Sequence, residues 1–177
     1  MTDSLLSPGS ERITAMGPEP RLTIELVPAT CWGSNVREVV SRRQWEVIGA
    51  AVRDASGERC EICGGRGQRH PVDCHEVWFY DDIARRQRLV RMCALCPACH
   101  GVKHLGRSRQ LGFGGDAARH LQEVNGWDAE LTAQYIAEAF ALWRERSRHE
   151  WTQDLSSLAD YLPDFRVRAA GSEGHAK

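Results

Sequence analysis

Apolar positions in this chain fall into short runs of different spacing, and each spacing predicts a different element. From Arg21 to Val27, Leu22, Ile24 and Leu26 alternate with Arg21, Thr23 and Glu25, the period-2 pattern of a short strand. Pro28 breaks it. Ser41 opens a helix: Ser41 and Gln44 have capping-box spacing, in which each side chain satisfies the other's backbone N–H. Trp45, Ile48, Val52 and Ala55 follow three or four apart, giving one apolar face. Gly57 stops this helix and leads directly into Cys60. Pro71 to Trp78 alternates enough to form a strand carrying His75. Leu111 to Gly115 (LGFGG) reads as a hinge, followed by a short helix near Asp116–Val124 and a turn at Asn125-Gly126. A long helix is predicted from about Asp128 to at least Glu150, with Leu131, Tyr135, Ile136, Ala139, Phe140 and Trp143 as its apolar stripe. Arg144, Arg146, Arg148 and His149 crowd its end, the sign favoured at a helix C-terminus. A solvated face is expected for them, with phosphate contact as the other role. Residues 1–20 mix Ser, Gly, Pro and acids without period and read as a flexible tail. Pro163 ends the ordered region, and 164–177 read as a second tail. There is no internal repeat.

Composition narrows the class. The 177 residues suit one ordinary domain, and 42% hydrophobic with 27% charged residues is a globular balance. No apolar run approaches the roughly 18 residues that cross a bilayer. Met1 to Pro20 has no apolar signal-peptide core, so a cytoplasmic chain with no membrane partner is expected. A formal net charge of −1 excludes binding of nucleic acid by bulk charge. Seven cysteines in a reducing compartment point to metal ligands rather than disulfides.

Cys60-Glu61-Ile62-Cys63 and Cys96-Pro97-Ala98-Cys99 are two C-x2-C pairs. A two-residue spacer lets both thiolates of a pair reach one ion, and zinc takes four such ligands in a tetrahedron. Four thiolates leave no open coordination position, so this zinc is expected to be structural. Cys93-Ala94-Leu95-Cys96 has the same spacing; Cys96 with Cys99 is preferred because His100 follows directly. Cys31 and Cys74 are expected to be buried thiols. A redox dithiol is the competing reading of C-x2-C, but no thioredoxin-like strand–helix context surrounds either pair.

His100 and His104 are four apart, on one helix face, and can share a metal ion. His75, from the preceding strand, would complete a three-imidazole site with open positions, the arrangement of a catalytic ion. His70, His120, His149 and His175 lack such partners and are read as structural or surface residues.

The stretches CEICGG (60–65), VDCHEVW (72–78) and LCPACHGVKH (95–104) resemble the HNH endonucleases of the ββα-metal (His-Me finger) class. The likeness extends, from about residue 22 to 162, to stand-alone bacterial proteins described as HNH nucleases. The resemblance implies an α+β fold: a small ββα-metal zinc-knuckle core at 21–110, including the preceding strand and helix, with a helical extension over 111–163. It implies hydrolysis of phosphodiester bonds with a second divalent ion (Mg2+, Mn2+, Ni2+ or Zn2+). Matching Val77-Trp78 to the family's apolar positions makes His75 a metal ligand beside His100 and His104, with Glu76 as the base. Sliding by one residue makes His75 the base and Cys74 the ligand. The family's asparagine before the second knuckle is missing; Gln87 or Arg91 occupies that stretch, and Arg91 could hold the phosphate instead.

From Ile83 to Gly115 there is no acidic residue, while Arg85, Arg86, Arg88, Arg91, Lys103, Arg107 and Arg109 all fall there. Such a local patch suits a phosphate backbone, double-stranded DNA being the expected partner. A solvated basic loop paired with the acidic helices is the alternative. Two other classes compete with a nuclease: a non-catalytic zinc module that binds nucleic acid or protein, and a zinc nucleobase deaminase. The deaminase signature needs H-x-E and P-C-x-x-C. Here His75 and Glu76 are adjacent and the proline lies inside the knuckle, so that class is set aside.

Overall fold

A computed structural model describes residues 19–68 and 70–165; the expected tails at 1–20 and 164–177, with His175, lie almost wholly outside them. In chain order the elements are α1 (Val36–Val39), α2 (Arg42–Ala55), β1 (Asp73–Asp81), β2 (Arg86–Leu95), α3 (Pro97–Lys103), α4 (Leu105–Gln110), α5 (Gly114–Asn125), α6 (Ala129–Arg146) and β3 (Thr152–Asp154). The fold is mixed α+β. β1 and β2 form an antiparallel hairpin with an irregularity between Val77 and Trp78, and β3 adds parallel to the start of β2. Among the described residues no helix is long and apolar enough to cross a membrane.

The capping box at Ser41 forms as its spacing requires: Gln44 N donates to Ser41 Oγ, and Ser41 N donates to Gln44 Oε1. Ile48 and Val52 then turn the apolar face of α2 into the core. That core is one cluster running from Leu22 through Leu89, Leu95, Val102 and Leu121 to Leu158. The helices after residue 111 therefore share the core of the hairpin, and the expected hinge is a tight turn through Gly112.

Two expectations change. Residues 21–27 form no strand, because residues of three helices take their backbone groups. Asn125 Oδ1 accepts from Leu22 N and Asn125 Nδ2 donates to Leu22 O, at 3.0 and 2.9 Å. Tyr135 OH accepts from Ile24 N, and Lys103 O accepts from Glu25 N. The long helix ends at Arg146 rather than Glu150. Arg146 is buried against Asp82 at 2.7 Å, with its guanidinium 4.5 Å from the Tyr80 ring centroid, and its carbonyl accepts from Trp151 Nε1. The chain turns there to lay β3 beside β2. Arg146 is thus a core cation, while Arg148 pairs with Glu145 at the surface.

Asn125, read from sequence as half of a turn signal, is a clamp. It precedes Gly126, whose φ of +67° closes the end of α5, and it satisfies both backbone groups of the fully buried Leu22. Asn125→Ala would orphan a buried N–H and C=O, each worth about 1–3 kcal/mol. Urea denaturation is expected to show a loss of roughly 2–6 kcal/mol, with unchanged metal content.

Candidate metal centres

The first centre is built where the chain leaving α2 meets the end of β2. Gly64 N donates to Cys60 O at 2.8 Å and Gly65 N to Cys63 Sγ at 3.4 Å, so the backbone folds tightly around the first pair of sulfurs. Gly64 has φ +72°, which a side chain disfavours. Cys96 caps α3, Pro97 opens it, and Cys99 lies one turn in. The sulfurs of Cys60, Cys63, Cys96 and Cys99 all lie within 4.8 Å of one another and could bind a zinc ion. All seven cysteines are free thiols. Cys93 lies in the core opposite His75 on the hairpin, outside this cluster. Burial pushes the Cys93 and Cys74 thiols up to about 12.

The electrostatics of the four thiols fit a dication. A hydrogen bond from Cys99 pulls the Cys60 thiol down to about 4 against the opposing push of burial. The same bond, together with burial, drives Cys99 far up, and burial raises Cys96 to about 11. One thiolate forms easily, and its charge then holds the protons on its neighbours; a cation in the middle removes that conflict. The Cys99 sulfur is also 3.2 Å from His120 Nε2. Nothing in the local sequence marks His120 for this position, since it comes from α5.

The second centre is built where β1 meets α3. His75 on β1 meets His100 on α3 and His104 at its cap, with ring centroids 4.8–5.2 Å apart. Their ligand atoms all lie within 4.8 Å of one another. Two of the rings are held by carboxylates. Glu25 Oε2 is 3.1 Å from His75 Nε2, and Asp73 Oδ2 is 3.2 Å from His100 Nδ1. An ionised carboxylate only accepts, so each contacted nitrogen carries the proton. That leaves the lone pair on Nδ1 of His75 and Nε2 of His100, as a metal-binding imidazole backed by a carboxylate requires. Burial, then the neighbouring His75, lowers the pKa of His100, and that of His104 to about 3. Both rings are neutral, the ligating form, at neutral pH.

Glu25 is the site residue that sequence patterns alone do not reveal. It sits on the polar side of the supposed strand, and nothing there marks it as a partner of a histidine fifty positions on. Burial alone would raise its carboxyl, but Lys103 at 2.5 Å and His75 more than offset this and hold it at about 2. Ionised Glu25 therefore stabilises the fold at neutral pH, and this contribution disappears as pH falls from about 4.5 to about 2. Glu25→Gln is expected to flatten that acid limb in a pH-dependent denaturation series. It should also weaken metal binding at the histidines by about 10–100-fold, read by titration with Mn2+ or Zn2+.

Glu76 lies on the opposite side of β1. Its Oε1 accepts from Val36 N at 2.9 Å and its Oε2 from Trp78 Nε1 at 3.1 Å, so it anchors the start of α1. Burial raises its pKa. It still lines the same cavity, of about 410 Å³, as the three histidines, with Arg37 and Arg107. Cys74 lines this cavity without joining the histidine cluster.

The seven basic residues do not form one patch. Arg91 pairs with Glu61 at 2.7 Å, beside the thiols, and Lys103 is buried on Thr23 and Glu25. Gln87 is buried on Tyr80 and Gln153. Neither Gln87 nor Arg91 contacts His75, whose ring is held by Glu25 instead. Arg86 and Arg88 pair with Asp81 and Phe79, six and four positions along β1 from His75 by register, or about 20 and 13 Å at strand rise, and Arg85 precedes them at the hairpin tip. Arg109 stacks on Phe140 at 4.5 Å. Arg107 alone of the seven lines the histidine cavity. No family model, curated protein or solved structure matches this chain.

Proposed function

We propose that the chain is a metal-dependent endonuclease of the HNH type, hydrolysing phosphodiester bonds of DNA. The observation that carries this reading is the convergence of His75, His100 and His104 on a hairpin–helix unit whose helix begins at a four-thiol cluster. In it, Cys60, Cys63, Cys96 and Cys99 hold a structural zinc, and the three histidines hold a divalent ion of the Mg2+, Mn2+, Ni2+ or Zn2+ group. Such an ion, when bound, supplies Lewis-acid stabilisation of the charge that grows on the phosphate and leaving oxygen.

The chain's own residues supply the rest. Glu25 and Asp73 fix the rings and tautomers of His75 and His100. Arg107, exposed beside His104, takes a phosphate oxygen, a charge-assisted contact. Glu76 accepts the proton of the attacking water. Its buried, raised carboxyl lies closer to neutrality than a free glutamate, which suits a general base. The Val36 and Arg37 backbone and the Trp78 indole donate to this carboxylate, which leaves one of its roughly four lone pairs for the water proton. The anchoring of α1 by Glu76 favours one competing reading, a non-catalytic zinc module that uses this fold to bind nucleic acid or protein.

Metal counting and cleavage separate the two. The nuclease reading expects one tightly held zinc per chain, a second exchangeable ion, and nicking of plasmid DNA when one of the four ions is supplied. One zinc, no second ion and no nicking under any of them leaves the binding module. Neutralising Arg85, Arg86 and Arg88 together is expected to weaken binding to duplexes of unrelated sequence equally. The same change should flatten the salt dependence by about 0.9 in log–log slope for each phosphate no longer neutralised. A salt titration of the triple variant reads this directly.

A further inference from the structure

A second cavity, of about 630 Å³, opens beside the histidines, and Trp32, Phe140, Trp143, Arg107, Arg109 and His104 are among the residues that line it. It shares Trp32, His104 and Arg107 with the histidine cavity. Its aromatic wall is built rather than incidental. Trp32 Nε1 and Trp143 Nε1 both donate to Val27 O, at 3.1 and 3.0 Å, so indoles from two distant segments are fixed on one carbonyl. Trp32 is nevertheless 65% exposed. A large aromatic ring held in place yet left in water has a face free for stacking. Two arginines lie along the same cavity, and the only acid lining it among the described residues, Glu25, is neutralised by Lys103.

An apolar side chain of a partner would have no use for the arginines, and a bare phosphate none for the indoles. Aromatic faces interleaved with cations are the chemistry of a base on its backbone. We propose that this cavity receives an unpaired nucleobase adjoining the phosphodiester at the histidine centre, with Trp32 as the stacking surface and Arg107 on the phosphate between. The proposal rests on the nuclease reading and names its substrate class: a strand with a base out of the duplex.

Equilibrium binding tests it, using the zinc-loaded protein without added divalent ion and labelled DNA as single strand and as duplex. Trp32→Ala is expected to weaken single-strand binding about tenfold and leave duplex binding unchanged, with Trp32→Phe recovering most of the loss. An abasic nucleotide walked along the strand should, at one position, weaken the wild type about as much and leave Trp32→Ala unaffected. Single-strand binding by Trp32→Ala equal to wild type, or losses that multiply at every abasic position, would overturn the proposal. If no ion supports cleavage but the Trp32–abasic coupling holds, the nuclease reading fails and the nucleobase site stands. Cleavage indifferent to both changes retires the nucleobase site and keeps the nuclease.

Discussion

Cys99→Ser is expected to cost the protein its fold. Cys99 is fully buried, and its sulfur closes the four-thiol cluster within the core. A structural zinc bound by thiolates contributes on the order of 10–16 kcal/mol of apparent binding free energy to the folded state. A domain of this size is stable by only about 5–15 kcal/mol, so loss of one ligand exhausts the margin. Soluble yield should collapse, and any recovered protein should lack zinc by mass spectrometry and unfold without a cooperative transition. Cys93→Ser is the control: that sulfur lies in the core away from the cluster, and the variant should fold with its zinc. The reverse pattern, zinc lost from Cys93→Ser and kept by Cys99→Ser, would dismantle the assignment of this centre.

The second large effect concerns the histidines. On the proposed nuclease reading, His100→Ala and His104→Ala should each remove the exchangeable ion while leaving zinc and thermal unfolding close to wild type, because both rings stand at the cavity and not in the hydrophobic cluster. Loss of a direct ligand should exceed the roughly 10–100-fold that removing a supporting carboxylate costs, and cleavage should fall to background. Glu76→Gln keeps size and a carbonyl acceptor but no base. Metal should stay and cleavage drop, while the hydrogen bonds that Val36 and Trp78 donate must share one carbonyl oxygen. If His75→Ala instead abolishes cleavage with metal content unchanged, His75 is the base and the ligand set shrinks to the helix.

Local features were legible along the chain because their causes are local. The capping box needs only Ser41 and Gln44, three apart; each thiol pair needs a two-residue spacer; His100 and His104 share a helix face because they are four apart. The αL turn at Gly126 follows from its own missing side chain. Those patterns determine the α+β class, the thiol cluster and two of the three clustered histidines. Only the tertiary structure decided which carboxylates stand behind those rings. It also decided that Arg146, Arg91 and Lys103 spend their charge on Asp82, Glu61 and Glu25, and that residues 21–27 pair with helix residues instead of a sheet. Each of these contacts joins positions between 27 and 111 residues apart. Period and spacing report on a few neighbouring residues, whereas such contacts depend on how whole elements pack. Glu25 shows the limit best: a polar residue in an alternating run when read alone, it becomes the partner of His75 only once α3 brings Lys103 and His104 against it.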